Sequence, residues 1–221
     1  YMGDAVMAFW NAPLDDADHA YHAGEAALRM LGRIHELNEQ IAREAEAEGR
    51  PHLPMNLGIG IATGSSVVGN MGSDLRFDYS VLGDTVNLAS RLEGLTAQLR
   101  VLNLTSEATA RALDGRLATV EVDIVRVKGK QEPERIFTIL GDRSLLTEDG
   151  FQVVKERLAS LLEAYRSGDF AGAKTRLEQL EPSAAAFGLA GLLETYRERL
   201  DNLTSQPPSG EWDGIFDAVS K

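Results

Sequence analysis

The chain contains no cysteine. That excludes disulfides, zinc–thiolate sites and thiol catalysis, and it suits a cytosolic setting. No stretch approaches the roughly 18 consecutive apolar residues that a membrane-spanning helix needs, and nothing at the start resembles a signal peptide. Positive charge is scarce: 22 Lys and Arg stand against 34 Asp and Glu, for a net charge of -12. Such a balance argues against nonspecific nucleic-acid binding and against docking on an anionic membrane. A nucleotide ligand remains compatible with it, provided a metal and a few local cations neutralise the phosphates. What is present is a globular composition, 43% apolar and 25% charged over 221 residues, enough for one large or two small domains. The chain opens at Tyr1, without an initiator Met, on a strand-like run. It reads as a fragment whose N-terminal part has been cut away.

The most informative stretch is RFDYSVLGDTVNLASRLE, residues 76–93. Aromatic and β-branched residues alternate over Arg76–Val81, which predicts a half-buried strand. Gly83-Asp84 supplies a turn, with Asp84 suited to open a helix. From Thr85 onward Val86, Leu88, Ala89, Leu92 and Leu95 recur at helical spacing. This leaves Asn87 and Arg91, four residues apart, on one polar strip. One is an amide that both donates and accepts; the other is a permanent cation. A helix just beyond a strand end is a common place for binding groups, although a surface helix with a solvated Arg has the same spacing.

Around it, Met2–Trp10 predicts a hairpin turn at Gly3-Asp4 followed by a buried strand. Asp15-Asp16 opens a long helix, with Ala23, Ala26, Ala27, Met30, Ile34, Leu37 and Ile41 as its apolar stripe and an end near Gly49-Arg50-Pro51. His19 and His22 on that helix read as solvated or capping residues, since no third metal ligand is in view. Met55–Thr63 is a predicted strand whose Gly58 and Gly60 mark close approach of another backbone or a ligand. It continues through Val67–Met71 into the 76–81 strand as an antiparallel meander. A short strand over Arg100–Leu104, a short helix over Ser106–Leu113, and strands Leu117–Val127 and Arg135–Leu140 follow. The loop between the last two carries Lys128 and Lys130 around Gly129. The fold class is α+β, with helices packed on one face of a sheet. Beyond Asp142 the composition turns helical. Phe151–Ser167 and Ala171–Gln179 are amphipathic, and the piece around Tyr165, Gly168, Phe170, Ala173 and Pro182 has the look of one tetratricopeptide-type (TPR) unit or an ordinary helical hairpin. One such unit cannot bury its own face, so it must pack on the rest of the chain or on a partner. Gln206–Gly210 is a linker, and Trp212, Ile215 and Phe216 equip the tail to dock.

The motifs YMGDAVMAFW, NLGIGIATG, VVGNMGS, RFDYSVLGDTVNLASRLE and VKGK, taken in order, resemble the catalytic domain of class III nucleotidyl cyclases over roughly residues 1–142. The resemblance implies a ferredoxin-like antiparallel sheet with helices on it, incomplete at the N-terminus. A small all-α TPR-like extension over 143–206 and a Pro-linked tail over 207–221 would follow. It also implies head-to-tail homodimers with each site between chains. Asp4 would hold catalytic metal, Mg2+ or Mn2+ with two ions per site. Asn87 would orient the ribose, Arg91 would stabilise the pentavalent phosphate, and Lys128 would bind the terminal phosphates. Ser80, seven residues before Asn87, falls at the base-selecting position, where a hydroxyl points to ATP. The implied activity is conversion of ATP to 3′,5′-cyclic AMP and pyrophosphate by two-metal-ion catalysis in a signal-transduction protein. The first metal aspartate and the adenine-reading lysine would lie before Tyr1, so the fragment alone is expected to be inactive. The helical extension and tail are similar to those of membrane-anchored bacterial sensors. That implies a cytoplasmic location, an upstream sensor and membrane region, and a protein partner for the extension. Guanylyl cyclase is one rival reading; a catalytically dead cyclase-like dimerisation or sensor module is another. No GGDEF-like turn supports a diguanylate cyclase.

Overall fold

The computed structural model describes residues 3–73, 76–126 and 132–217. Its centre is a five-stranded sheet built from β1 (Ile59–Ile61), β4 (Asn103–Ser106), β5 (Ala118–Arg126), β6 (Glu134–Gly141) and β7 (Phe216–Asp217), in the spatial order β1-β4-β6-β5-β7. A separate antiparallel hairpin pairs β2 (Val67–Ser73) with β3 (Arg76–Leu82). Among the described residues six α-helices accompany them: α1 (His19–Ala47), α2 (Asp84–Leu99), α3 (Glu107–Leu113), α4 (Asp149–Arg166), α5 (Phe170–Ala184) and α6 (Ala190–Ser205).

The α+β class holds, but the pairing differs from a simple meander. β1 does not pair with β2; it lies parallel to β4, reached through the hairpin and α2. A parallel pair needs such a crossover, and α2 supplies it by packing on β1 and β4. The predicted strand over Met55–Thr63 shortens to three residues because Asn38 occupies the backbone of Met55. Its Oδ1 accepts from the Met55 N–H at 2.8 Å and its Nδ2 donates to the Met55 carbonyl at 2.9 Å. The strand expected over Arg100–Leu104 forms instead at Asn103–Ser106, after Arg100 has terminated α2 in a left-handed conformation. Ser106 then caps α3, its hydroxyl accepting from the Thr109 N–H.

The strand expected within Met2–Trp10 is absent from the described residues. Gly3-Asp4 does turn, with Gly3 at φ 65°, but only a single bridge follows at Ala5. Val6 is 62% exposed, since no neighbouring strand takes up the backbone groups of residues 6–10. Phe9 instead sets its ring 6.0 Å from that of Tyr79 on β3.

Helices cover both faces of the sheet rather than one. Alternation along β6 sends Ile136 and Leu140 to one side and Ile139 to the other. Ile139 meets Leu113, Leu117, Tyr21 and Leu28 beneath α1 and α3. Ile136 joins the larger core with Leu88, Leu92, Leu95 and Leu99 of α2 and with Phe151, Leu161 and Tyr196 of the C-terminal helices. One continuous apolar cluster therefore runs across Asp142. Of the predicted stripe of α1 only Ala23 and Ala27 are buried, with Ala20, Gly24 and Ala45 of the same helix, while Met30 is exposed. The tail docks as its apolar residues predict. The Trp212 Nε1–H donates to the Tyr165 carbonyl at 2.8 Å, and Phe216 enters β7 alongside Val125.

A bulge in β5 has a further effect. The register slips between Glu121 and Asp123, so Val122 and Asp123 are both fully buried. Arg199 from α6 meets the Asp123 carboxylate at 2.6 Å, and the Tyr196 hydroxyl donates to the Val122 carbonyl at 2.7 Å.

Candidate functional site

The site is built on the start of α2. Gly83 takes φ 156° and ψ 167°, a backbone region open essentially to glycine alone, and it turns β3 sharply into the helix. Its carbonyl accepts from the N–H groups of Val86 at 3.1 Å and Asn87 at 3.3 Å. Thr85 pins this first turn to the preceding hairpin by donating its hydroxyl to the Ser65 carbonyl at 3.3 Å. Asp84 lies in the first turn, where a carboxylate is favoured by the helix dipole.

The opposite side of α2 is set by glycine. A Cβ on Gly60 would lie 2.0 Å from the Ala89 carbonyl oxygen and 2.4 Å from the Glu93 nitrogen. One on Gly58 would lie 2.3 Å from the Thr96 hydroxyl. Gly60 therefore serves a backbone-to-backbone contact with α2, and Gly58 leaves room for the Thr96 and Glu93 side chains of the same helix. With Ala89, Glu93 and Thr96 against β1 and the leucines in the core, Asn87 and Arg91 fall about 180° round the helix from β1. Asn87 is exposed and Arg91 half-buried. Among the described residues neither side chain has a hydrogen-bond or ion-pair partner. The strip faces outward with both functional groups uncommitted: a fixed cation and an amide, one helical turn apart, on a helix packed closely against β1 from behind.

Ser80 lies on β3, opposite Gly69 in the hairpin register, half-buried and a short step before the turn into α2. Asp4 is exposed in the Gly3-Asp4 turn. Its segment reaches the same hairpin through the Phe9–Tyr79 ring contact. Lys128 lies outside the described residues. β3 and α2 thus place Ser80, Asn87 and Arg91 along one continuous stretch. Asp4 enters from a separate segment and, among the described residues, no group of three or more His, Asp or Glu is placed to hold a metal ion. As a hard, exposed oxygen ligand Asp4 has the chemistry that Mg2+ or Mn2+ accepts, and it would contribute one carboxylate. A groove of about 480 Å3 between α3, the sheet and α4 contains none of these residues; Glu107, Arg111, Glu121, Phe137 and Lys155 line it. The His22 Nδ1 meets the Asp16 carboxylate at 2.8 Å, which raises the imidazole pKa.

Sequence reasoning missed the buried pair that ties β5 to α6, Asp123 and Arg199. The signal was a second acid, Asp123, in the run VEVDIV after Glu121; a carboxylate buried there has to find a cation. Burial pushes the Asp123 carboxyl pKa up, with the Arg199 charge pulling it back down.

Residues 1–141 match the family described as adenylate and guanylate cyclase catalytic domain. Adenylate cyclase 1 of Rhizobium meliloti (strain 1021) is 34% identical over 141 residues, 64% of this chain and 20% of that protein. The adenylate cyclase of Anabaena cylindrica is 35% identical over 143 residues, 63% of this chain and 27% of that protein. The chain thus spans 20% and 27% of the length of these two relatives. Among solved structures, the guanylyl cyclase Cya2 is similar at 31% identity and a TM-score of 0.50, covering 59% of this chain and 62% of that one.

Proposed function

The chain belongs to the adenylate and guanylate cyclase catalytic domain family, and from that premise we propose that residues 1–142 are the part of an adenylyl cyclase that converts ATP to 3′,5′-cyclic AMP and pyrophosphate. The outward strip of Asn87 and Arg91, uncommitted and braced from behind, carries this reading. In the reaction the ribose 3′-oxygen bonds to the α-phosphorus, the bond from that phosphorus to the bridging oxygen of the leaving pyrophosphate breaks, and the hydroxyl proton is lost. Arg91 stabilises the charge that builds on the five-coordinate phosphorus. Asn87 orients the ribose so that the 3′-oxygen attacks in line. Lys128 binds the terminal phosphates, and the Ser80 hydroxyl selects adenine. Asp4 is the metal ligand; two Mg2+ or Mn2+ ions, when bound, lower the pKa of the attacking hydroxyl and neutralise the leaving group. The working unit is a homodimer in which Asp4 of one chain serves a site with Asn87, Arg91 and Lys128 of the other. The resemblance of the helical extension and tail to those of membrane-anchored bacterial sensors supports a place on the cytoplasmic side of such a protein. Residues 143–206 and 207–221 form its helical extension and tail.

Two substitutions in the full-length protein test the reading. Arg91→Ala and Asn87→Ala are each expected to lower kcat by about 10²–10³ while changing KM little. A rise in KM alone overturns the assignment. A guanylyl cyclase is the second reading, favoured by the similarity to Cya2. Comparing turnover of ATP and GTP separates the two, and Ser80→Ala is expected to erode the preference for ATP.

A further inference from the structure

α6 closes on two elements at once. Toward its start it meets the end of α2. A Cβ on Gly191 would lie 2.6 Å from the Arg100 carbonyl oxygen, so the two backbones touch there. Arg100, the left-handed residue that ends α2 at φ 53°, holds Glu194 with Nη1 and Glu198 with Nη2, each at 2.8 Å. Two further residues of the same helix, Tyr196 and Arg199, fasten Val122 and Asp123 of β5. α6 therefore spans the distance between the C-terminal end of α2 and the bulge of β5.

We infer that α6 is a positioning strut for the cyclase site and that Arg100, gripped by Glu194 and Glu198, is a positioning residue for Arg91. This rests on the reading of Asn87 and Arg91 given above. Arg100 lies nine residues beyond Arg91 on a helix already pinned against Gly60, about 13.5 Å along its axis. A helix fixed on one side by β1 keeps one soft freedom, sliding along its own axis, and the Arg100 joint blocks it. A slip of about 1 Å at a group that must meet a phosphoryl centre can cost up to about 100-fold in rate. An exposed ion pair adds little to stability, so the joint acts on geometry more than on folding.

The test uses the full-length protein with three changes: Arg100→Gln; Glu194→Gln with Glu198→Gln; and the charge swap Arg100→Glu with Glu194→Arg and Glu198→Arg. The first two are expected to lower kcat about five- to tenfold with KM unchanged, consistent with a sub-ångström displacement of Arg91. Their melting temperatures are expected to stay within about 2 °C of the parent. The swap is expected to restore kcat to within about twofold, as re-formed geometry requires. Hydrogen exchange at the amides of residues 84–91 reports the same coupling without turnover, speeding up in the first two variants and recovering in the swap. Unchanged kcat with unchanged exchange in Arg100→Gln overturns the inference. So does a loss of kcat that tracks a loss of stability or is not rescued by the swap. A parent protein that makes no cyclic nucleotide sinks the cyclase reading instead, and exchange at 84–91 then still decides whether α6 restrains α2.

Discussion

The Arg199 guanidinium lies 2.6 Å from an Asp123 carboxylate that has no exposed surface. Phe216 closes the pair off: its ring centre lies 3.9 Å from the Arg199 guanidinium carbon. Removing one partner leaves an uncompensated buried charge. Arg199→Leu is expected to cost about 3–5 kcal/mol in urea denaturation, and adding Asp123→Asn is expected to recover a large part of that. A single-variant loss below about 1 kcal/mol would place the pair in a more hydrated setting than the structure gives it.

Two glycines facing α2 and within it should respond in opposite directions to the same change. Gly60→Ala drives a methyl group into the Ala89 carbonyl, an atom that cannot swing aside. It is expected to destabilise by about 3 kcal/mol or more. At Gly94, exposed on α2, an added Cβ meets nothing within 4 Å. Gly94→Ala is expected to stabilise by about 0.5–1 kcal/mol through higher helix propensity. Thermal melts of the two variants check both signs.

The Asp16–His22 pair gives a pH signature at the start of α1. Hydrogen bonding to Asp16 raises His22 above its ordinary 6.5, and the same bond lowers Asp16 below 3.8. The His22 contribution is fully present below pH 6.5 and is lost as pH rises through its elevated folded value. The Asp16 contribution is present above pH 3.8 and is lost as pH falls through its depressed folded value. An NMR titration of His22 is expected to show a midpoint above 6.5 that falls back toward it in Asp16→Asn. An unshifted midpoint in the parent would contradict the 2.8 Å contact.

Trp212 anchors the tail by one hydrogen bond and two edge-on ring contacts, to Tyr165 at 5.3 Å and Phe170 at 5.5 Å. Trp212→Phe keeps an aromatic ring and gives up the indole donor, so about 1 kcal/mol should be lost. Trp212→Ala removes both and should cost about 3 kcal/mol. Denaturation followed by far-UV circular dichroism separates the two.

Much of this was readable from local pattern. The leucine spacing of α2, the Ser106 cap and the strands on either side of residues 127–133 each follow from neighbours a few positions apart. Non-local choices were not readable. Nothing in NLGIGIAT states that its neighbour is β4 rather than β2, and the Asn38 clasp on Met55 that shortens it joins residues 17 positions apart. Likewise Met2–Trp10 has strand composition, but composition cannot provide a neighbour for its backbone. The outward direction of Asn87 and Arg91 was legible as a periodicity; the close contact behind it, which depends on Gly58 and Gly60 meeting Ala89, Glu93 and Thr96 of α2, was not. Nothing local to Arg199 marks it as buried; its partner Asp123 lies 76 residues earlier, beside the β5 bulge.

That late partnership has a consequence for synthesis. Asp123 leaves the ribosome 76 residues ahead of Arg199. At about 5–20 residues per second the nascent strand waits roughly 4–15 s with its acid unmatched. Until α6 emerges, the growing chain cannot complete the sheet's second covering layer. A translational pause downstream of Arg199, rather than one between strand and helix, is the arrangement that would favour soluble product.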